Sequence, residues 1–147
     1  MKWASVLVAV AACAGAPAAL TAQSDLSAFA QQVAAAWARH DFATVVGPGR
    51  VELRIPGVAA AGPLPADQAV ALLAGYAQDA EEVEVVVVAA TAVSEVSGYA
   101  ELRRRYRRRG VGDAREETIL LGFARGGADD GGWRVAVVEA SGARAGR

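Results

Sequence analysis

The densest chemistry in this chain is the run Arg103-Arg104-Arg105-Tyr106-Arg107-Arg108-Arg109. In an extended strand successive side chains point to opposite faces. Arg104, Tyr106 and Arg108 then share one face, and Arg103, Arg105, Arg107 and Arg109 the other. An arginine–tyrosine–arginine face can hold an anion such as a phosphate, a carboxylated lipid or an acidic glycan. The same residues also suit a solvated hairpin end. If the Gly110–Asp113 turn pairs Arg109 with Ala114, Arg107 lies opposite Glu116 and Tyr106 opposite Glu117. Cross-strand charge pairs of that sort stabilise by only ~0.2–1 kcal/mol each. Because the only lysine is Lys2, the use of arginine elsewhere is no argument for bidentate recognition.

The sole histidine, His40, precedes Asp41. Neighbours on a helix do not face each other, so the two cannot form an oriented acid–base dyad without a break between them. The expected roles are a helix cap for Asp41 and a surface position for His40. With one histidine, neither a histidine metal site nor a Ser–His triad with a spare His is available. Asp129-Asp130 lacks the alternating oxygen ligands of a calcium loop, and Gly110-Val111-Gly112 lacks the following helix of a phosphate cradle. No metal and no cofactor is therefore expected. A general base in a dry pocket needs a lone carboxylate on a buried strand. The apolar cores 85–93 and 118–123 contain none, and Glu101 is the one central-strand carboxylate to keep.

The elements that must position these residues are legible from periodicity. Ser24-Asp25 signals a helix N-cap, and Leu26, Phe29, Val33 and Trp37 follow as one apolar stripe that ends near His40. Asp41 can cap a short helix over 42–46, closed by Gly47-Pro48-Gly49. Val51 to Ile55 alternates as a short strand. After a loop rich in Ala, Gly and Pro, Pro65-Ala66-Asp67 opens a helix with Val70, Leu73 and Ala74 (or Tyr76-Ala77) inward. Four strands follow, over 83–93, 99–109, 116–125 and 133–139, joined by turn-forming segments.

That order of elements resembles the nuclear transport factor two-like superfamily, in which helices pack into a strongly curved antiparallel sheet to make a cone. The residues that carry the resemblance are Ala36-Trp37-Ala38-Arg39-His40-Asp41, the Val51–Gly57 strand and turn, the 65–79 helix and the four closing strands. Within the superfamily the chain looks most like small exported bacterial members of unknown function. The resemblance implies an α+β, cystatin-like cone over residues 23–140 and permits a ligand cavity. The expected ligand-binding side chains are Trp37, Tyr76, Arg104, Tyr106 and Arg108, with no catalytic residue assigned. Ketosteroid isomerase-like enzymes of similar fold use cavity carboxylates and a tyrosine near the first helix, whereas this first helix offers Trp37. A fold shared by enzymes, binders and adaptors does not choose among them. A closed pocket above ~300 Å³ holding a buried carboxylate would favour an isomerase, dehydratase or cyclase on a hydrophobic substrate. A cone filled by Phe29, Val33, Trp37 and Leu73 favours a non-catalytic module for a small hydrophobic or anionic ligand, or for a partner in the cell envelope.

At 147 residues with a formal charge of −1, the chain has room for one domain and no field to draw nucleic acid. Met1-Lys2-Trp3, the apolar stretch Ala4–Ala12 and the small-residue end Ala18–Ala22 read as a signal peptide over 1–22, cleaved before Gln23. A periplasmic or secreted protein is expected, with 141–147 a disordered tail. The alternative is a lipoprotein acylated at Cys13, the only cysteine and the only route to a membrane. Val85–Val88, Ile119–Leu121 and Val135–Val138 are apolar on both faces, and helices can cover only one. A homodimer through the open sheet face is expected to cover the other.

Overall fold

Leu26, Val33 and Trp37 lie on one stripe of the first helix, and each is buried, which is what their spacing of seven and four requires. The computed structural model describes residues 16–58, 62–126, 132–142 and 144–145. Within them α1 spans Ala16–Ala38, α2 Phe42–Val46, β1 Glu52–Arg54, α3 Ala66–Ala77, β2 Ala80–Ala92, β3 Ser97–Arg108, β4 Ala114–Arg125, β5 Trp133–Ala140 and β6 Arg144–Ala145. Cys13 and the Asp129-Asp130 loop lie outside the described residues.

Ser24 is not the cap of α1. The helix runs through it from Ala16, as its alanine-rich start favours. Ala22 is buried, while Leu20 is 70% exposed. At Gln23 the side-chain amide donates to the Ala90 carbonyl at 2.8 Å and accepts from the Ala92 amide at 2.8 Å, tying the helix to β2. Among the described residues no helix is long and apolar enough to cross a membrane.

The strands form one sheet in the order β1-β5-β4-β3-β2. Its four long strands are antiparallel, as expected, but β1 joins β5 in parallel, so the sheet is mixed. Irregularities between Glu82 and Glu84, between Val87 and Ala89, and between Gly122 and Phe123 interrupt its ladders. Bulges increase local twist and bend the strand that carries them, and the sheet curves around the helices without closing. At Gly98, α1 packs tightly on the sheet. A Cβ there would stand 2.5 Å from Leu26 Cδ2 and 2.8 Å from the Thr91 carbonyl oxygen.

The concave side holds Val33, Trp37, Leu73, Leu102, Ile119, Leu121 and Val138, all buried. Phe29 is half-buried and meets Phe123 edge to face. On α3 the inner residues are Ala69, Leu73 and Ala77, with Val70 and Tyr76 partly buried; Ala74, assigned inward from sequence, is exposed. The convex side leaves Val88, Tyr99 and Leu120 exposed. Beyond β5, Ser141 bonds back to Thr118 and β6 pairs with Arg115 and Glu116 of β4. At least that part of the expected disordered tail is a strand.

Candidate functional site

The face shared by Arg104, Tyr106 and Arg108 is the concave one. Leu102, Arg104 and Tyr106 are buried at alternate positions of β3, whereas Arg103, Arg105 and Arg107 are exposed. The hairpin register differs by two residues from the sequence expectation. Arg107 pairs with Ala114, Arg105 with Glu116 and Arg104 with Glu117, because the connection between the strands takes in Arg109 and Ala114 is already in β4. A two-residue slip preserves facing, so Arg104 and Glu117 meet inside the cone.

Arg104 is the centre of the interior. Its side chain is 1% exposed, and those of Glu82 and Glu117 are 6% and 0%. Nε donates to both Glu82 oxygens at 2.9 Å, Nη2 adds a bond to Glu82 Oε1, and Nη1 donates to Glu117 Oε2 at 2.8 Å. The Tyr76 hydroxyl donates to the other Glu117 oxygen, and His40 Nε2–H donates to Glu82 Oε1 at 2.9 Å. Three aromatic rings surround the guanidinium, with centroids 4.1 Å away for Tyr106, 5.7 Å for Trp37 and 5.8 Å for Tyr76. Burial pulls the Arg104 pKa down, but the bonds to Glu82 and then Glu117 outweigh it and leave the group above its ordinary value. Burial first, and the bond to Glu117 second, raise the Tyr76 phenol above the usual tyrosine value.

His40 reaches this network because it follows the last turn of α1 in a left-handed conformation, φ 55°. The break between His40 and Asp41 exists, yet it does not make a dyad. His40 stacks on Phe42 and faces Glu82, so it is part of the interior network and not a plain surface residue. Asp41 caps α2 as expected, accepting from the Thr44 amide at 3.2 Å and its hydroxyl at 2.6 Å. The Thr44 hydroxyl bond, more than any other contact, lowers the Asp41 pKa.

One of the clefts, of about 270 Å³, lies at the mouth of the cone and is lined by Pro56, Tyr76, Asp79, Ala80, Arg104, Tyr106, Arg108 and Gly142. Four of the five candidate binding residues therefore share one cleft. Trp37 lies behind it, against Arg104, with its indole Nε1 buried and lacking a partner among the described residues. Glu101 is not the interior carboxylate; it pairs with Leu120 on the convex-facing parity of β3 and is half-buried. The buried carboxylates are Glu82 and Glu117, which sequence reasoning passed over. Glu117 was within reach of the parity rule, since it alternates with the buried Ile119, Leu121 and Phe123. Among the described residues no cluster of His, Cys, Asp and Glu could hold a metal ion.

Helices held in a curved, open sheet around this interior are found in other solved proteins. A ketosteroid isomerase-like protein from Erwinia carotovora superposes with TM-score 0.66 at 15% identity, over 81% of this chain and 94% of its own. A nuclear transport factor two-like protein of unknown function from Shewanella oneidensis gives 0.56 at 15% identity, over 80% and 97%. The chain has the nuclear transport factor two-like fold. A domain of unknown function with a cystatin-like fold from Nostoc punctiforme is also similar, with TM-score 0.60 at 15% identity over 82% of this chain and 76% of that one. No family model matches the sequence, and no curated protein matches it. At these identities the likeness concerns the nuclear transport factor two-like fold alone.

Proposed function

We propose that this chain is an exported, non-catalytic module of the cell envelope that binds a small ligand at the mouth of its cone. The observation that carries this reading is the saturation of the interior carboxylates. Glu82 and Glu117 are buried, as a general base in a dry pocket would be, but Arg104 ties up both, with Tyr76 and His40 taking further lone pairs. A carboxylate engaged in charge-assisted bonds is a poor proton acceptor. The deep cone is also full: Val33, Trp37, Leu73 and the Arg104 side chain occupy the space where an apolar substrate would sit. Among the described residues, three open clefts lie outside the filled cone: one of about 460 Å³ beside Glu117 and Ser141, one of about 380 Å³ beside His40 and Glu82, and the mouth cleft of about 270 Å³, which alone of the three brings together Tyr76, Tyr106 and Arg108. Export is supported by the leader-like sequence of residues 1–22.

The test is a thermal-shift screen of the purified chain against small apolar, anionic and zwitterionic compounds, repeated on Tyr106→Ala and Arg108→Gln. The reading expects a stabilising hit that both variants weaken and that is recovered chemically unchanged. A compound that is converted, with turnover lost in Glu117→Gln, would replace the reading with the enzyme alternative. A hit that neither variant affects would place binding elsewhere.

The convex face supports a second copy as partner, because Val88, Tyr99 and Leu120 are exposed there and outward apolar clusters on soluble domains mark interaction sites.

A further inference from the structure

We propose that the cone-mouth cleft takes a zwitterion, a free amino acid with an apolar side chain. Its carboxylate would lie on Arg108, its ammonium on Asp79 and its side chain against Tyr76 and Tyr106. This rests on the reading of the mouth as a binding site and names its ligand class.

Besides the buried Arg104, two opposite charges line this cleft without neutralising each other. Asp79 and Arg108 are both lining residues, and both are exposed. Neither side chain has an ion pair or hydrogen bond to any described residue, nor do the two come within ion-pair distance of each other. Their spacing is fixed by backbone. Ala80, next to Asp79, pairs with Arg108 across β2 and β3, and the Arg109 amide donates to the Asp79 carbonyl at 2.9 Å.

Arg104 at the floor is already engaged by Glu82 and Glu117, which leaves Asp79 and Arg108 as the charges open to a ligand. A plain anion gains Arg108 but meets Asp79; a plain cation gains Asp79 but meets Arg108. A zwitterion pairs with both rims and adds no net charge. The walls are Tyr76, Tyr106, Pro56 and Ala80, which suit an apolar side chain, and a cleft of about 270 Å³ suits a molecule of amino-acid size.

Isothermal titration of the purified chain with three probes reads each contact separately: L-phenylalanine, N-acetyl-L-phenylalanine (no ammonium) and L-phenylalanine amide (no carboxylate). The expected order is L-phenylalanine tightest, with each derivative about tenfold weaker, the scale of one charged hydrogen bond. Arg108→Gln should level L-phenylalanine with its amide, and Asp79→Asn should level it with the N-acetyl derivative. Both positions are exposed, so unchanged melting temperatures will show that the variants fold. If the N-acetyl derivative binds wild type as tightly as L-phenylalanine and Asp79→Asn is silent, the zwitterion is wrong while mouth binding stands. If none of the three probes binds, the proposal is overturned, and the thermal-shift screen decides separately whether the mouth binds anything else.

Discussion

Replacing Arg104 by Met removes the one cation that, among the described residues, contacts both buried carboxylates, and keeps most of the side-chain volume. Two charge pairs are lost, at 2.8 Å from Nη1 to Glu117 and 2.9 Å from Nε to Glu82. At an effective dielectric near 20, opposite charges about 4 Å apart attract by ~4 kcal/mol, but burying them costs a comparable amount, so the intact group is close to balance. Breaking it is not balanced. Among the described residues Glu117 then keeps only Tyr76 and Glu82 only His40, and stranded buried charge costs ~3–5 kcal/mol. That is a large share of a total stability of roughly 5–15 kcal/mol. Urea unfolding followed by tryptophan fluorescence should show the Arg104→Met midpoint lowered by more than about 1 M, given slopes of ~1–3 kcal/mol/M. The deficit should shrink on acidification, because protonating the stranded carboxylates removes the buried charge. Combining Arg104→Met with Glu82→Gln and Glu117→Gln should recover part of the loss. A cost below about 1 kcal/mol for the single variant, or one that does not change with pH, would refute the picture of a sealed ionic interior.

Tyr76 holds its proton more tightly when folded than when unfolded, so its contribution is complete below about pH 10 and is lost as pH rises beyond; the melting temperature of Tyr76→Phe should fall less steeply than wild type above that pH. Gly98→Ala sets a methyl group against Leu26 and the Thr91 carbonyl and should destabilise by ~1–3 kcal/mol in chemical denaturation. Pairing of two copies through the convex face, as proposed, requires light scattering to give a dimer mass for wild type and a stable monomer for Leu120→Glu. Val138→Glu, which places a charge in the core, should instead unfold the chain at lower temperature; equal effects of the two would contradict the assigned strand facing.

Much of this site was legible because strands obey a two-residue period. Arg104, Tyr106 and Arg108 fall on one face by counting alone, and the two-residue register error left that facing intact. Glu117 obeys the same count, yet its place beside Glu116 at the strand's start reads as solvated hairpin. Glu82 does not obey it. A ladder irregularity lies between it and Glu84, so alternation along β2 gives no facing for the residue that grips Arg104. His40 depends on a left-handed residue after a helix, which no periodicity reports. Val138 was as plausible an outward residue as Leu120 from sequence, since Val135–Val138 is apolar at every position. Pairing of Leu121 with Val138 and of Leu120 with Glu139 settles which turns inward. Parallel addition of β1 to β5 is a long-range pairing that no local pattern encodes.

The central claim is that a small molecule binds at the cone mouth and leaves unchanged. Its most direct test is an amide and side-chain NMR titration of the purified chain with the strongest hit from the thermal-shift screen, with the compound's own spectrum followed in the same tube. The account predicts shifts concentrated at Tyr76, Asp79, Ala80, Tyr106 and Arg108, with the compound intact after prolonged incubation. Shifts centred on the convex residues Val88, Tyr99 and Leu120, or a compound converted during the titration, would contradict it.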